Sequence, residues 1–156
     1  MGDSHPAATS AEAQEWIRVL AAVIERQGTV LICRRPAHKR HGGLWEFPGG
    51  KLEEREGLTE AAHRELAEEL AVLVVSVGEA LYRMRDPGSR LVIEFAAVEI
   101  SGEPAALEHD EIRWVAPAEL FELELAPSDA IFRDARWKRG NGGTIQLRGV
   151  DGLNAP

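Results

Sequence analysis

The chain has 156 residues, 44% hydrophobic and 28% charged, the balance of one globular domain with a real core and too few residues for two ordinary domains. A formal charge of −8 excludes a sequence-blind grip on DNA or RNA, which needs a basic face. A single cysteine, Cys33, excludes a disulfide framework and a cysteine-rich zinc cluster. With no run near ~20 apolar residues and no signal-peptide pattern at the start, the expected compartment is the cytoplasm, with no membrane partner.

In chain order, residues 1 to 13 read as a loose polar tail and 140 to 156 as a glycine-rich tail, which leaves a domain over 14 to 139. From Trp16, the runs IRVLAAVIE and TVLICRR flank Arg26-Gln27-Gly28, the pattern of a β-hairpin with Cys33 as a buried strand residue. Pro36 ends the second strand. The loop that follows, PAHKRHGG, gathers Arg34, Arg35, Lys39 and Arg40 into a basic cluster suited to phosphate oxygens, or into an ordinary solubilising loop. An extended stretch then enters the turn Pro48-Gly49-Gly50, where the backbone can approach a ligand closely.

A helix is expected from Leu58 to Leu70. Beyond it, VLVVSV and EALYRMR are strand material with a break near Val77-Gly78, and Asp86-Pro87-Gly88-Ser89 is a turn. LVIEFAAVEI suits a central strand covered on both faces. An acidic loop over 101 to 111, a short strand IRWVAP and a short helix in PAELFEL follow. Pro127-Ser128-Asp129 open a last helix with its body over Ala130–Trp137, and TIQL is a short β-like segment in the tail. The sum is an α/β chain with a mixed sheet.

The chemistry concentrates on the first helix. Glu65, Glu68 and Glu69 stand at i, i+3 and i+4, so one turn presents three carboxylates on one side. Each such like-charge pair costs an isolated helix roughly 0.2–0.5 kcal/mol. A solvated helix face tolerates that. A divalent cation over the turn would remove it, and oxygen ligands favour a hard ion, Mg²⁺ with Mn²⁺ as substitute.

The surroundings favour the cation. Gly50, Glu56, Arg64, Glu65, Leu66, Glu68, Glu69 and Val72 reproduce the spacing of the Nudix box over 23 residues. The chain therefore resembles the Nudix family, and is most similar to its MutT-like branch, whose members often carry a pair of arginines, a loop and a run like Glu46 to Lys51 ahead of the box. The likeness spans about Trp16 to Lys138. It departs at one position, where Ala71 replaces the last glycine of the box, which puts the helix end in doubt.

The resemblance implies an α/β/α sandwich, with a mixed sheet between the box helix and a C-terminal helix. It implies hydrolysis of nucleoside triphosphates to monophosphate and pyrophosphate, with 8-oxo-dGTP as first substrate and CTP, dCTP or another nucleoside diphosphate derivative as alternatives. By resemblance, Glu65, Glu68, Glu69 and the Gly49 or Gly50 carbonyl hold Mg²⁺. Glu65 is the candidate base, and Arg64 pairs with Glu56 to hold the loop. Glu108, ahead of Trp114, is an additional ligand or the alternative base. Arg34 and Arg35 are candidate substrate contacts. Phe47 either stacks on the nucleobase or belongs to the core, and Asp129 either reads the base edge or caps a helix. An ionised Asp129 would only accept hydrogen bonds. A nucleotide-sensing domain without catalysis is the reading from another class, resting on Ala71 alone. Monomer and homodimer both remain open.

Overall fold

Strands with apolar residues at every position demand cover on both faces, and the first long strand shows how that demand is met. The computed structural model describes residues 15–139 and 145–147. In β1 (Ile17–Val23) and the residue after it, Leu20, Ala22 and Ile24 point into one core cluster, while Ala21 and Val23 point into another. Strand β3 (Thr29–Arg34) divides its side chains the same way, Leu31 and Cys33 to the first cluster and Val30 and Ile32 to the second. Two cores separated by a layer of strands are the signature of a three-layer sandwich.

The strands form two main sheets. One has the order β5-β1-β7-β6, in which β5 (Gly49–Lys51) runs antiparallel to β1, β7 (Leu91–Ser101) parallel to β1, and β6 (Leu73–Arg85) antiparallel to β7. The other joins β2 (Glu25–Arg26), β3 and β4 (Trp45–Glu46), with β8 (Glu111–Val115) on β3. Helix α1 (Leu58–Leu70) covers the first core. Helices α2 (Pro117–Leu120) and α3 (Pro127–Arg136) supply Leu120 and Phe132 to the second. Strands β9 (Trp137–Arg139) and β10 (Ile145–Leu147) pair with each other, so the β-like segment expected in the tail is seen over its last three residues. The other expected tail residues, 1–13, 140–144 and 148–156, lie outside the described residues. Among the described residues no helix is long and apolar enough to cross a membrane.

Three sequence expectations change. The hairpin exists only at its tip: Gln27 and Gly28 both have positive φ, as a tight two-residue turn needs, and β2 pairs with β3. The long arm β1 leaves for the other sheet, where its two apolar faces are both buried. Strand β6 does not break at Val77-Gly78. It stays continuous and absorbs the irregularity as register shifts between Val74 and Ser76, Val77 and Ala80, and Ala80 and Tyr82. The last helix begins at Pro127, whose missing N–H costs nothing in a first turn, and stops at Arg136, so Trp137 starts β9.

Helix α1 buries Ala61, Ala62, Leu66 and Leu70. Fully burying a leucine contributes ~1.5–3 kcal/mol, so Leu66 and Leu70 fix how the helix is rotated about its axis. At its start the Glu60 carboxylate accepts the Gly57 N–H at 2.8 Å. At its end Ala71 is left-handed, φ 59° and ψ 38°, and its N–H donates to the Ala67 carbonyl. Alanine thus adopts the conformation that glycine would take, at a cost of ~1 kcal/mol. Ala71→Gly should raise the unfolding free energy by about 1 kcal/mol with turnover unchanged, measured by thermal or urea unfolding; an unchanged or lowered midpoint would contradict the strain assigned here.

Candidate active site

With Leu66 and Leu70 in the core, their neighbours Glu65 and Glu69 fall on the rim of the buried stripe, half-buried, and Glu68 is exposed beside them. Facing them is β5. Gly49 has φ 151°, and a Cβ there would run into the Leu20 carbonyl of β1; a Cβ at Gly50 would collide with the Glu65 carboxyl group. The two glycines therefore let a strand edge lie directly against the acidic turn, and the Gly49 N–H donates to Glu69 Oε1 at 3.1 Å.

Arg64 holds the segment in front of the helix. Its guanidinium donates to both Glu56 oxygens, at 2.9 and 2.7 Å, to the Lys51 carbonyl at 3.0 Å and to Glu65 Oε1 at 2.6 Å. One planar fork thus ties the loop, the strand and the acidic helix together. Pairing with Arg64 holds the Glu56 carboxyl down at about 2 and raises the arginine further above its ordinary value.

Glu108 comes from the far side. The last carbonyls of a helix have no intrahelical partner. Here those of Leu70 and Glu69 accept the N–H groups of Ala105 (2.9 Å) and Leu107 (3.1 Å), which fastens the acidic loop to the helix end and sets Glu108 next to the cluster. Glu65, Glu68, Glu69, Glu108 and Gly50 line one cavity of about 600 Å³.

The same cavity continues to a second, more enclosed set of groups. Trp45 donates to the Glu124 carbonyl and accepts from the Ala126 N–H, which places the start of α3 against β4. Asp129, 8% exposed, therefore meets the strand, and its Oδ1 accepts the Phe47 N–H at 2.9 Å. Glu46 lines the cavity between Arg35 (2.7 Å) and His109 (3.0 Å). Neither Glu46 nor His109 was singled out from the sequence; each is the neighbour of a residue that was, Phe47 and Glu108.

Of the sequence candidates, Arg35 lines the cavity but is engaged with Glu46 and, at 2.6 Å, with the Arg40 carbonyl. Arg34 does not line it. Its guanidinium sits over the Trp45 ring and 3.7 Å from Glu111. Phe47 borders the cavity, yet its ring is 3% exposed and packs edge-on against Phe95 and Phe132, the contacts of a core residue. Burial, with Glu46 adding like charge, pushes the Asp129 carboxyl up to about 8, which favours its protonated form, a donor beside an acceptor, over the ionised acceptor. Cys33 is buried and its thiol raised well above the ordinary value by that burial, with nearby carboxylates adding to it.

The acidic end is under the same strain. Burial raises the Glu65 carboxyl although Arg64 opposes it, and burial pushes Glu69 to about 8, with Glu65, Glu46 and Glu108 adding repulsion. As they stand, the side chains form no closed cation cage among the described residues, because Glu65 is turned onto Arg64 and Glu69 onto Gly49. The donor set nevertheless suits a hard divalent cation: carboxylate oxygens and a strand carbonyl, crowded by like charge that a cation would relieve.

These shifts fix a sign. A carboxyl raised in the folded state favours the protonated form, so its contribution to stability is present at low pH and lost as pH climbs from the unfolded value near 4 to the folded value near 8. In EDTA the midpoint of unfolding should fall between pH 5 and pH 8. Asp129→Asn should blunt that fall, and Mg²⁺ or Mn²⁺ should raise the midpoint most at the alkaline end. A midpoint that climbs with pH in EDTA would refute the strain.

The NUDIX domain model matches residues 15–135. A CTP pyrophosphohydrolase of Escherichia coli is 40% identical over 116 residues, 72% of this chain and 85% of that protein. A putative 8-oxo-dGTP diphosphatase 2 of Mycobacterium tuberculosis is 36% identical over 117 residues, 71% of this chain and 81% of the other. A solved MutT structure from work on the Aliivibrio salmonicida and Vibrio cholerae proteins superposes with a TM-score of 0.66 at 30% identity, covering 76% of this chain and 94% of that one.

Proposed function

The chain belongs to the Nudix family, hydrolases that act on nucleotides, and on that premise we propose that it is a divalent-metal-dependent pyrophosphohydrolase of nucleoside triphosphates, releasing monophosphate and pyrophosphate. One observation carries the reading. A single cavity has a carboxylate cluster suited to cations at one end and a pair of hydrogen-bonding acids, Glu46 and Asp129, at the other, as a molecule with a phosphate chain and a base requires.

Attack on phosphorus needs a water to be deprotonated and anionic oxygens to be neutralised. Bound at Glu65, Glu68, Glu69, Glu108 and the Gly50 carbonyl, Mg²⁺ or Mn²⁺ would supply the neutralising charge. Glu65 is the proposed base. It is half-buried, raised above the ordinary carboxyl value and fixed in one orientation by Arg64, which is itself fixed by Glu56. Glu108 is proposed as a ligand. Lys39 and Lys51 at the cavity wall would meet phosphate oxygens as point charges.

For the base, a neutral Asp129 carboxyl offers a donor beside an acceptor, and Glu46 adds a further acceptor. Cytosine matches both, giving two N4 hydrogens and accepting at N3, so CTP and dCTP are the proposed substrates. The second reading, 8-oxo-dGTP, has its own support: the oxidised ring presents N7–H next to O6, whereas unmodified guanine presents two acceptors there. The relatives named above divide between the same two substrates. A sensor without catalysis loses its one support, because Ala71 holds the left-handed conformation that a glycine would. Cytoplasm is the proposed setting.

Pyrophosphate release should be measured for CTP, dCTP, ATP, dGTP, 8-oxo-dGTP, ADP-ribose and a diadenosine polyphosphate, in Mg²⁺, Mn²⁺ and EDTA. The expected result is metal-dependent release, fastest for the cytidine nucleotides. Glu68→Gln and Glu65→Gln should each lower kcat by roughly a hundredfold or more while nucleotide still binds by calorimetry. Binding without product in either metal would sink the hydrolase reading, and a preference for 8-oxo-dGTP over dGTP would select the second substrate.

A further inference from the structure

Asp86 stands outside the site residues described so far, in the turn between β6 and β7, yet it touches three of the segments that supply lining residues to the cavity. Its backbone N–H donates to the Leu91 carbonyl at 2.9 Å, and Leu91 lines the cavity from β7. Its Oδ1 accepts the Ser128 hydroxyl at 2.6 Å, and Ser128 precedes Asp129 on α3. Its Oδ2 lies 3.5 Å from Arg40 Nη1, and Arg40 follows Lys39 in the basic loop whose Arg35, Pro36 and Lys39 line the cavity. The Ser89 hydroxyl also donates to Oδ2, at 2.8 Å, so the carboxylate is held in one orientation, and the residue is only 9% exposed.

The basic loop is otherwise knitted mainly to itself. Lys39 bonds back to Pro36, Gly42 to Lys39, Gly43 to Arg35 and Leu44 to His41, and the Arg35 guanidinium reaches the Arg40 carbonyl. It is a preformed unit, and the Arg40–Asp86 pair joins it to the β6–β7 turn.

We propose that Asp86 is a positioning residue for substrate specificity, latching the basic loop through Arg40 and the start of α3 through Ser128, so that one buried carboxylate sets the width of the base end. The inference rests on the nucleotide reading above and extends it to a residue that touches no substrate. The pair is half-exposed on the arginine side, so its effect is modest, about five-fold in a binding constant. It acts on substrate capture, not on chemistry at phosphorus.

The test uses the full chain with Asp86→Asn, which keeps an oxygen for Ser128 but removes the charge, Arg40→Ala, and the double variant. Each single change should raise KM for the best nucleotide triphosphate about five-fold with kcat within two-fold, and the double variant should be no worse than either single one. Independently of any nucleotide, trypsin should cut after Lys39 several-fold faster in Asp86→Asn than in the parent. Unchanged loop cleavage, additive effects in the double variant, or a fall in kcat at constant KM would each overturn the latch. A parent protein that hydrolyses no nucleotide, with cleavage still accelerated in Asp86→Asn, would instead retain the latch and remove the function built on it.

Discussion

The setting of α1 about its own axis is the constraint on which the site depends. Leu66 and Leu70 lie one position after Glu65 and Glu69, and since both leucines are fully buried, the helix cannot turn without exposing them. The acids are therefore delivered to the rim of the core, where they are half-buried and close together. An amphipathic helix normally keeps its charges on the far side from its apolar stripe. Here the boundary between the two is used, and the Gly49-Gly50 strand edge, having no side chains, fills what would otherwise be a gap against it.

That placement concentrates negative charge where solvent screens it poorly, and the chain offsets it unevenly. At the front of the helix one arginine balances Glu56 and leans on Glu65. Toward the interior, among the described residues, the Glu69 carboxyl group meets a strand N–H and no cationic side chain. The enclosed end meets the same problem differently: Glu46 is flanked by Arg35 and His109, while burial raises the Asp129 carboxyl and so favours its uncharged form. Two carboxyls in one cavity thus have different surroundings, one flanked by an arginine and a histidine and the other buried against a strand N–H.

Much of this was legible in the residues. The span of α1, its three spaced carboxylates, the glycine turn before it and the central place of β7 all follow from local pattern, although β7 is covered on both faces only in its first half, with Ala97 and Glu99 exposed. The partner of β1 was not legible: an apolar run that can be buried on both faces pairs wherever a second apolar strand lies, and the adjacent TVLICRR was the nearer candidate but not the one chosen. Arg34 and Arg35 are indistinguishable as residue types, yet Arg34 ends β3 and packs over Trp45, while Arg35, just past the strand, reaches the cavity. The protonation of Asp129 was hidden for a related reason, since it comes from burial against strands far away in sequence.

The attachment of the acidic loop to the end of α1 has a further consequence. Most helices leave their final carbonyls to solvent and fray there, opening at little cost. In this chain those carbonyls are occupied by Ala105 and Leu107, so the last helical turn and the segment bearing Glu108 open or stay shut as one cooperative unit. Two acids separated by 39 positions along the chain, Glu69 and Glu108, are thereby given a common fate. Local melting that withdraws Glu69 must also break the bonds that hold the segment bearing Glu108.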